Sequence, residues 1–141
     1  MNTSLKSVPY STPSKHDFQS AFASKHDFET TLTILRDGIS SHDMWVIHEI
    51  NPQMLLERGG FQILPARQIL YFHPRYVTRI LAEDPSALAE IPLKLLVLKM
   101  PDDTTTVLCS TVESLLGRYP QLSEMAKELS IISKSLMKLV I

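Results

Sequence analysis

The stretch that decides the fold is Trp45 to Pro74, WVIHEINPQMLLERGGFQILPARQILYFHP. Met44 to Ile50 is rich in Trp, Val and Ile and too short for a stable helix, so it reads as a strand. Asn51-Pro52 ends it. Pro52 suits the first turn of a short helix, Gln53 to Arg58, which Gly59-Gly60 stops. Ala66 to Phe72 reads as a second strand between Pro65 and Pro74. Both strands end in ionisable residues beside a proline, His48 and Glu49 before Pro52, Tyr71 and His73 before Pro74.

Downstream, Leu93 to Met100 is a third apolar strand, Pro101-Asp102-Asp103 is a turn by composition, and Thr104 to Ser110 is β-rich, so a hairpin is expected. Tyr76 to Leu81 and Pro85 to Glu90 read as short helical pieces. Upstream, Ser14-Lys15-His16-Asp17-Phe18 recurs as Ser24-Lys25-His26-Asp27-Phe28. After the second copy, Phe28, Leu32, Leu35 and Ile39 share one helix face, with Ser24 or Asp27 able to cap it and Gly38 near its end. After the first, Phe18, Ser20 and Phe22 alternate as in an edge strand. One long helix through both copies would turn the two phenylalanines roughly 80° apart. Residues 1 to 13 carry no periodic apolar face and read as a flexible tail that docks poorly, leaving 14 to 141 as a single domain.

The last third is helical, Val112 to Tyr119 and then a long helix from about Ser123. Leu122, Met125, Leu129, Ile132, Leu136 and Leu139 form a heptad-like seam, which suits a helix laid on a sheet or a helix paired with its copy. Ser110 to Glu113 resembles a capping box at the start of this region.

With 141 residues, 44% hydrophobic and 21% charged, the chain has the composition of one globular core. Its 14 basic and 15 acidic residues leave a formal charge of -1, which gives no field to draw in nucleic acid. No apolar run approaches the roughly 20 residues of a membrane span, and the first thirty residues lack a secretory apolar core, so the cytoplasm is the expected compartment. Cys109 is the lone cysteine and reads as a buried, inert thiol.

Neither strand parity is polar. Trp45, Ile47 and Glu49 oppose Met44, Val46, His48 and Ile50, and the later strands are apolar on both sides. Helices can cover one side, so a second copy or a ligand is expected on the other, and a homodimer is the simplest assembly. Interface candidates are Trp45, Tyr71, Phe72, Leu136 and Leu139.

Glu49 is an acid in an apolar strand, where burial raises a carboxyl pKa or demands a cation. If its strand runs antiparallel to Ala66–Phe72, Glu49 lies near Arg67 and a structural ion pair is expected. If the two run parallel, Glu49, Tyr71 and His73 converge as acid, phenol and imidazole. The linker permits both. The candidate ligand-binding residues are therefore Glu49, Arg67, Tyr71 and His73. No metal site is expected, because His48 and Glu49 point to opposite faces and no paired-ligand helix motif is present. No cofactor motif is present either. Gly59-Gly60 matches no phosphate cradle, and Lys94 and Lys99 read as solubilising strand ends.

Three segments, HDFETTLTILRDGISSHDMWVIHEINPQMLLERGG, LPARQILYFHPRYVTRIL and EIPLKLLVLKMPDDTTTVLCSTVESLLGRY, resemble in their order the small bacterial and archaeal family called domain of unknown function 302. Glu49, Pro65, Pro74 and Pro92 match the family's positions, and His73 stands where relatives often carry Asn. The resemblance implies an α+β fold, a mostly antiparallel sheet of four to five strands with helices packed on one face and a long C-terminal helix, and a dimeric habit. It implies no activity. The expected function is an uncharacterised homodimeric domain that binds a small ligand or a protein partner near Glu49 and the apolar sheet face. The rival is a small enzyme with Glu49 as general acid or base, helped by His73 and Tyr71.

Overall fold

The computed structural model describes residues 4–141. In chain order the elements are β1 (Lys6–Ser7), β2 (Gln19–Ser24), α1 (Phe28–Ser41), β3 (Trp45–Ile50), α2 (Pro52–Arg58), β4 (Phe61–Gln62), β5 (Ala66–Phe72) and α3 (Pro74–Glu83). A 3-10 turn at Pro85–Glu90 leads to β6 (Leu93–Lys99), β7 (Thr105–Ser110) and α4 (Val112–Leu116), and a second at Pro120–Leu122 leads to α5 (Ser123–Lys138). Five strands form one sheet in the order β2-β7-β6-β5-β3, with every neighbouring pair antiparallel. The fold is α+β, and β6 and β7 form the expected hairpin.

The repeated pentapeptide folds two ways. The first copy leads into the outer strand β2; the second starts α1, where the Asp27 side chain accepts the Thr30 amide at 2.8 Å. The choice follows the residues after each copy, alternating in one and four-three spaced in the other.

One parity of the sheet carries the core. Ile69, Tyr71, Leu93, Leu95, Val97 and Val107 pack with Leu32 and Leu35 of α1 and Leu129 and Leu136 of α5. The opposite parity, with Gln68, Leu70, Leu96, Leu98 and Thr106, stays partly accessible. Most of the terminal seam is therefore spent inside the chain: Leu122, Met125, Leu129 and Leu136 are buried and Ile132 partly so, while Leu139 stays exposed. Gly38 lets α5 come close, since a side chain there would start 2.5 Å from a Leu139 methyl. Of the expected interface residues, Tyr71, Phe72 and Leu136 belong to this core and offer nothing to a partner; Trp45 and Leu139 remain accessible. Periodicity finds the apolar face of a helix but not what covers it.

Two local expectations are corrected. The segment before residue 14, expected to dock poorly, pairs β1 in parallel with β4, and the Tyr10 hydroxyl donates to the Lys99 carbonyl. A two-residue strand has no period to read, so only tertiary contact defines it. The capping box does not form. Thr111 caps α4 by accepting from the Ser114 amide, while Glu113 accepts a hydrogen bond from the Ser130 hydroxyl of α5 at 2.6 Å.

The hairpin does not stay paired along its length. The β6–β7 ladder runs from Lys99↔Thr105 to Leu96↔Leu108. Beyond that point Leu93 and Leu95 pair only with β5, and Cys109 and Ser110 only with β2. The ladder ends short of both strand ends, and Leu93, Lys94, Cys109 and Ser110 beyond it line one space between β6 and β7.

Candidate functional site

Glu49 sits opposite Ile69 in the antiparallel β3–β5 ladder. That register takes it away from His73, so the convergence of acid, phenol and imidazole does not occur. Its expected partner is also corrected. Arg36 of α1, not Arg67, takes both carboxylate oxygens, Nε to Oε1 at 2.8 Å and Nη2 to Oε2 at 3.1 Å. The fork geometry fits a planar guanidinium, and the Glu49 carboxylate raises the affinity of Arg36 for its proton. Arg67 instead donates to the Asn51 and Gln53 side chains at 3.0 and 2.6 Å and to its own strand at the Ala66 carbonyl. It braces the start of α2. A single short turn joins α1 to β3, so the cation that meets Glu49 stands on the helix before its strand; the charged residue on the helix flank was the signal.

His73 caps α3. Its Nδ1 accepts the Arg75 amide at 3.1 Å, and its ring meets Trp45 edge-on at 5.0 Å between centroids. One ring nitrogen and the contact with Trp45 are thus given to structure.

Of the four expected residues, Tyr71 lines the best-formed cavity. The gap between β6 and β7 holds a space of about 440 Å³, and its lining draws on both parities of the sheet. From the core side come Tyr71, Cys109 and Ser133; from the other come Gln19, Gln68, Lys94 and Ser110. Cys109 Sγ lies 3.9 Å from Ser133 Oγ. Burial pushes the Tyr71 phenol and the Cys109 thiol up, and the Ser133 hydroxyl beside them offsets this only in part. All three stay neutral at ordinary pH. The inner end of the cavity is therefore an uncharged polar cluster among Leu93, Val112 and Leu115, suited to hydrogen bonding and not to nucleophilic attack.

At the mouth, Glu90 and Lys94 supply opposite charges. Glu90 is held by Arg118 at 3.5 Å, with 17% of its side chain exposed. Ser133 escaped the sequence reading because it lies on the core side of a helix among apolar neighbours; Lys94, read as a solubilising strand end, lines the cavity because the β6–β7 ladder stops beside it, which leaves no mark on composition. Among the described residues no group of three His, Cys, Asp or Glu side chains is placed to hold a metal ion. Among them also no helix is long and apolar enough to cross a membrane.

The arrangement of elements is shared with a solved structure. The crystal structure of an uncharacterized conserved DUF302 protein from Bacillus stearothermophilus superposes with a TM-score of 0.81 at 18% identity, over 89% of this chain and 100% of that one. No curated protein sequence matches the chain. The sequence pattern described as domain of unknown function DUF302 matches residues 20–139, from β2 through α5. The chain belongs to the DUF302 family.

Proposed function

We propose that this protein is a non-enzymatic binding domain that takes a small organic molecule in the cavity between β6 and β7 and works as a homodimer. The observation behind the ligand reading is the cavity itself. Its roughly 440 Å³ falls within the usual range for small-molecule sites, and three neutral polar side chains meet at its inner end among apolar walls. The site thus moves from Glu49 to the partly accessible sheet face and the space between β6 and β7. A reaction run by Glu49 with His73 and Tyr71 lacks the geometry it needs, because the carboxylate is committed to Arg36 and the imidazole to the α3 amide.

The homodimer reading has its own observation. β3 is an outer strand of the sheet, and its successive residues Trp45, Val46 and Ile47 are 55%, 39% and 50% exposed. Three adjacent large apolar residues on an open strand edge invite pairing with another chain, and a second copy is the partner always at hand.

Mass spectrometry of the purified native protein tests the ligand reading, with Ser110→Trp as the comparison. Ser110 is exposed at the mouth, so an indole there obstructs the cavity without disturbing the core. A retained mass present in the wild type and absent in the variant is expected. A retained mass that survives the plug would place binding elsewhere and overturn the assignment.

A further inference from the structure

Resting on the reading of this cavity as a binding site, we infer that its ligand is a small monocarboxylic acid with an apolar body, its carboxylate held at the mouth by Lys94 and its body lying between β6 and β7. The charges of the lining decide the class. Glu90 and Lys94 are the ionised groups there, and Glu90 already has its counter-ion in Arg118. Lys94 makes no ion pair among the described residues. One uncompensated cation at the mouth selects one negative charge; a cationic ligand would have to displace Arg118 to find a partner.

The inner end excludes further charge. A second carboxylate beside Tyr71 and Ser133 would lose its water and gain no cation to offset that loss. A hydrocarbon or a single neutral oxygen suits that end, with Leu93, Val112 and Leu115 as walls and the phenol as a donor. The mouth supplies what a carboxylate needs beyond the ammonium, the amides of Gln19 and Gln68 and the Ser110 hydroxyl. Where the ladder stops after Leu96↔Leu108, the backbone groups of the two strands that face each other across the gap no longer bond to one another. A ligand lying there can satisfy groups that the sheet leaves over.

Hexanoate, hexanol and hexylamine, titrated by NMR into the full chain, test both layers. The expected order of affinity is hexanoate, then hexanol, then hexylamine, with amide shifts confined to residues 93–96 and 108–110. Lys94→Gln should weaken hexanoate about fivefold and leave hexanol unchanged, the factor that a partly exposed ion pair supports. Ser110→Trp should abolish binding of all three. If hexanol or hexylamine binds as well as hexanoate, and the plug still blocks it, the carboxylate class falls while the cavity stands. If no probe shifts these amides, or binding ignores the plug, the binding site itself falls and the class with it. The shift map reads the site in the wild-type protein, so neither outcome depends on a variant folding.

Discussion

At the scale of single residues, Glu49 shows how an acid on an apolar strand is accommodated by a cation on the neighbouring helix. Its bidentate pair with Arg36 is about one-third exposed on each side, 30% for Glu49 and 38% for Arg36, so solvent weakens it. Glu49→Gln should cost at most ~1 kcal/mol in urea unfolding. Arg36→Met combined with it should lose less than the sum of the two single changes, whereas Arg67→Met should add independently. Probe binding in the cavity should not respond to either. Glu113 gives a pH signature. The Ser130 hydroxyl donates to it and holds its carboxyl below the ordinary value of 4.5. A group depressed in the folded state contributes its full stability above the unfolded pKa and loses it as the pH falls through the folded one. The urea midpoint should therefore drop as the pH is lowered below about 4.5, and Glu113→Gln should flatten part of that drop while leaving the groups around Cys109 unaffected.

At the scale of elements, the contact that most changes the expected behaviour of the chain is the docking of its first segment. β1 supplies hydrogen bonds to β4, with the Lys6 amide to the Gly60 carbonyl and the Val8 amide to the Gln62 carbonyl both at 2.9 Å, and Tyr10 ties the segment to the end of β6. Tyr10→Phe should cost about 0.5–1.5 kcal/mol, the net value of one hydrogen bond, and deleting residues 1–10 should lower the thermal midpoint by more while the sheet still folds. An unchanged midpoint on deletion would mean the segment contributes no stability. Length and repetition decide which elements are legible in the chain. β3, β5, β6 and β7 are runs of six or seven residues with clear boundaries, and α1 and α5 repeat their apolar residues over several turns, so pattern alone located them. β1 and β4 are two residues each and exist only because they meet. The site was hardest to read. Tyr71 was visible as a polar group in an apolar strand, but the cavity beside it depends on where the β6–β7 ladder ends, and Ser133 comes from a helix 62 positions along the chain. Arg36 was missed for a different reason: it stands on α1, which the short turn into β3 folds back over Glu49, whereas strand direction decided only between Arg67 and the pair Tyr71 and His73.

At the scale of the whole molecule, the question is what covers the outer edge of β3. The other outer strand, β2, shows small side chains at Ala21 and Ala23, and its phenylalanine is partly buried against the core. β3 instead shows Trp45, Val46 and Ile47 to solvent, and its pairing with β5 slips between Val46 and His48. That irregularity turns consecutive apolar residues outward, which would be a liability in a monomer. α5 is a weaker candidate for self-association, because most of its seam is buried and the apolar residue it exposes most, Ile131, stands at 67% without a comparable neighbour on that helix. Ile47→Lys places a charge at the end of the exposed apolar run of β3, where it is harmless to a monomer and disruptive to a paired edge. Light scattering at micromolar concentration should give a dimer for the wild type and for Ile131→Lys, and a monomer for Ile47→Lys with the thermal midpoint of the isolated chain preserved. A dimer that survives Ile47→Lys and dissociates with Ile131→Lys would move the interface to α5, and a wild-type monomer would remove the homodimer altogether.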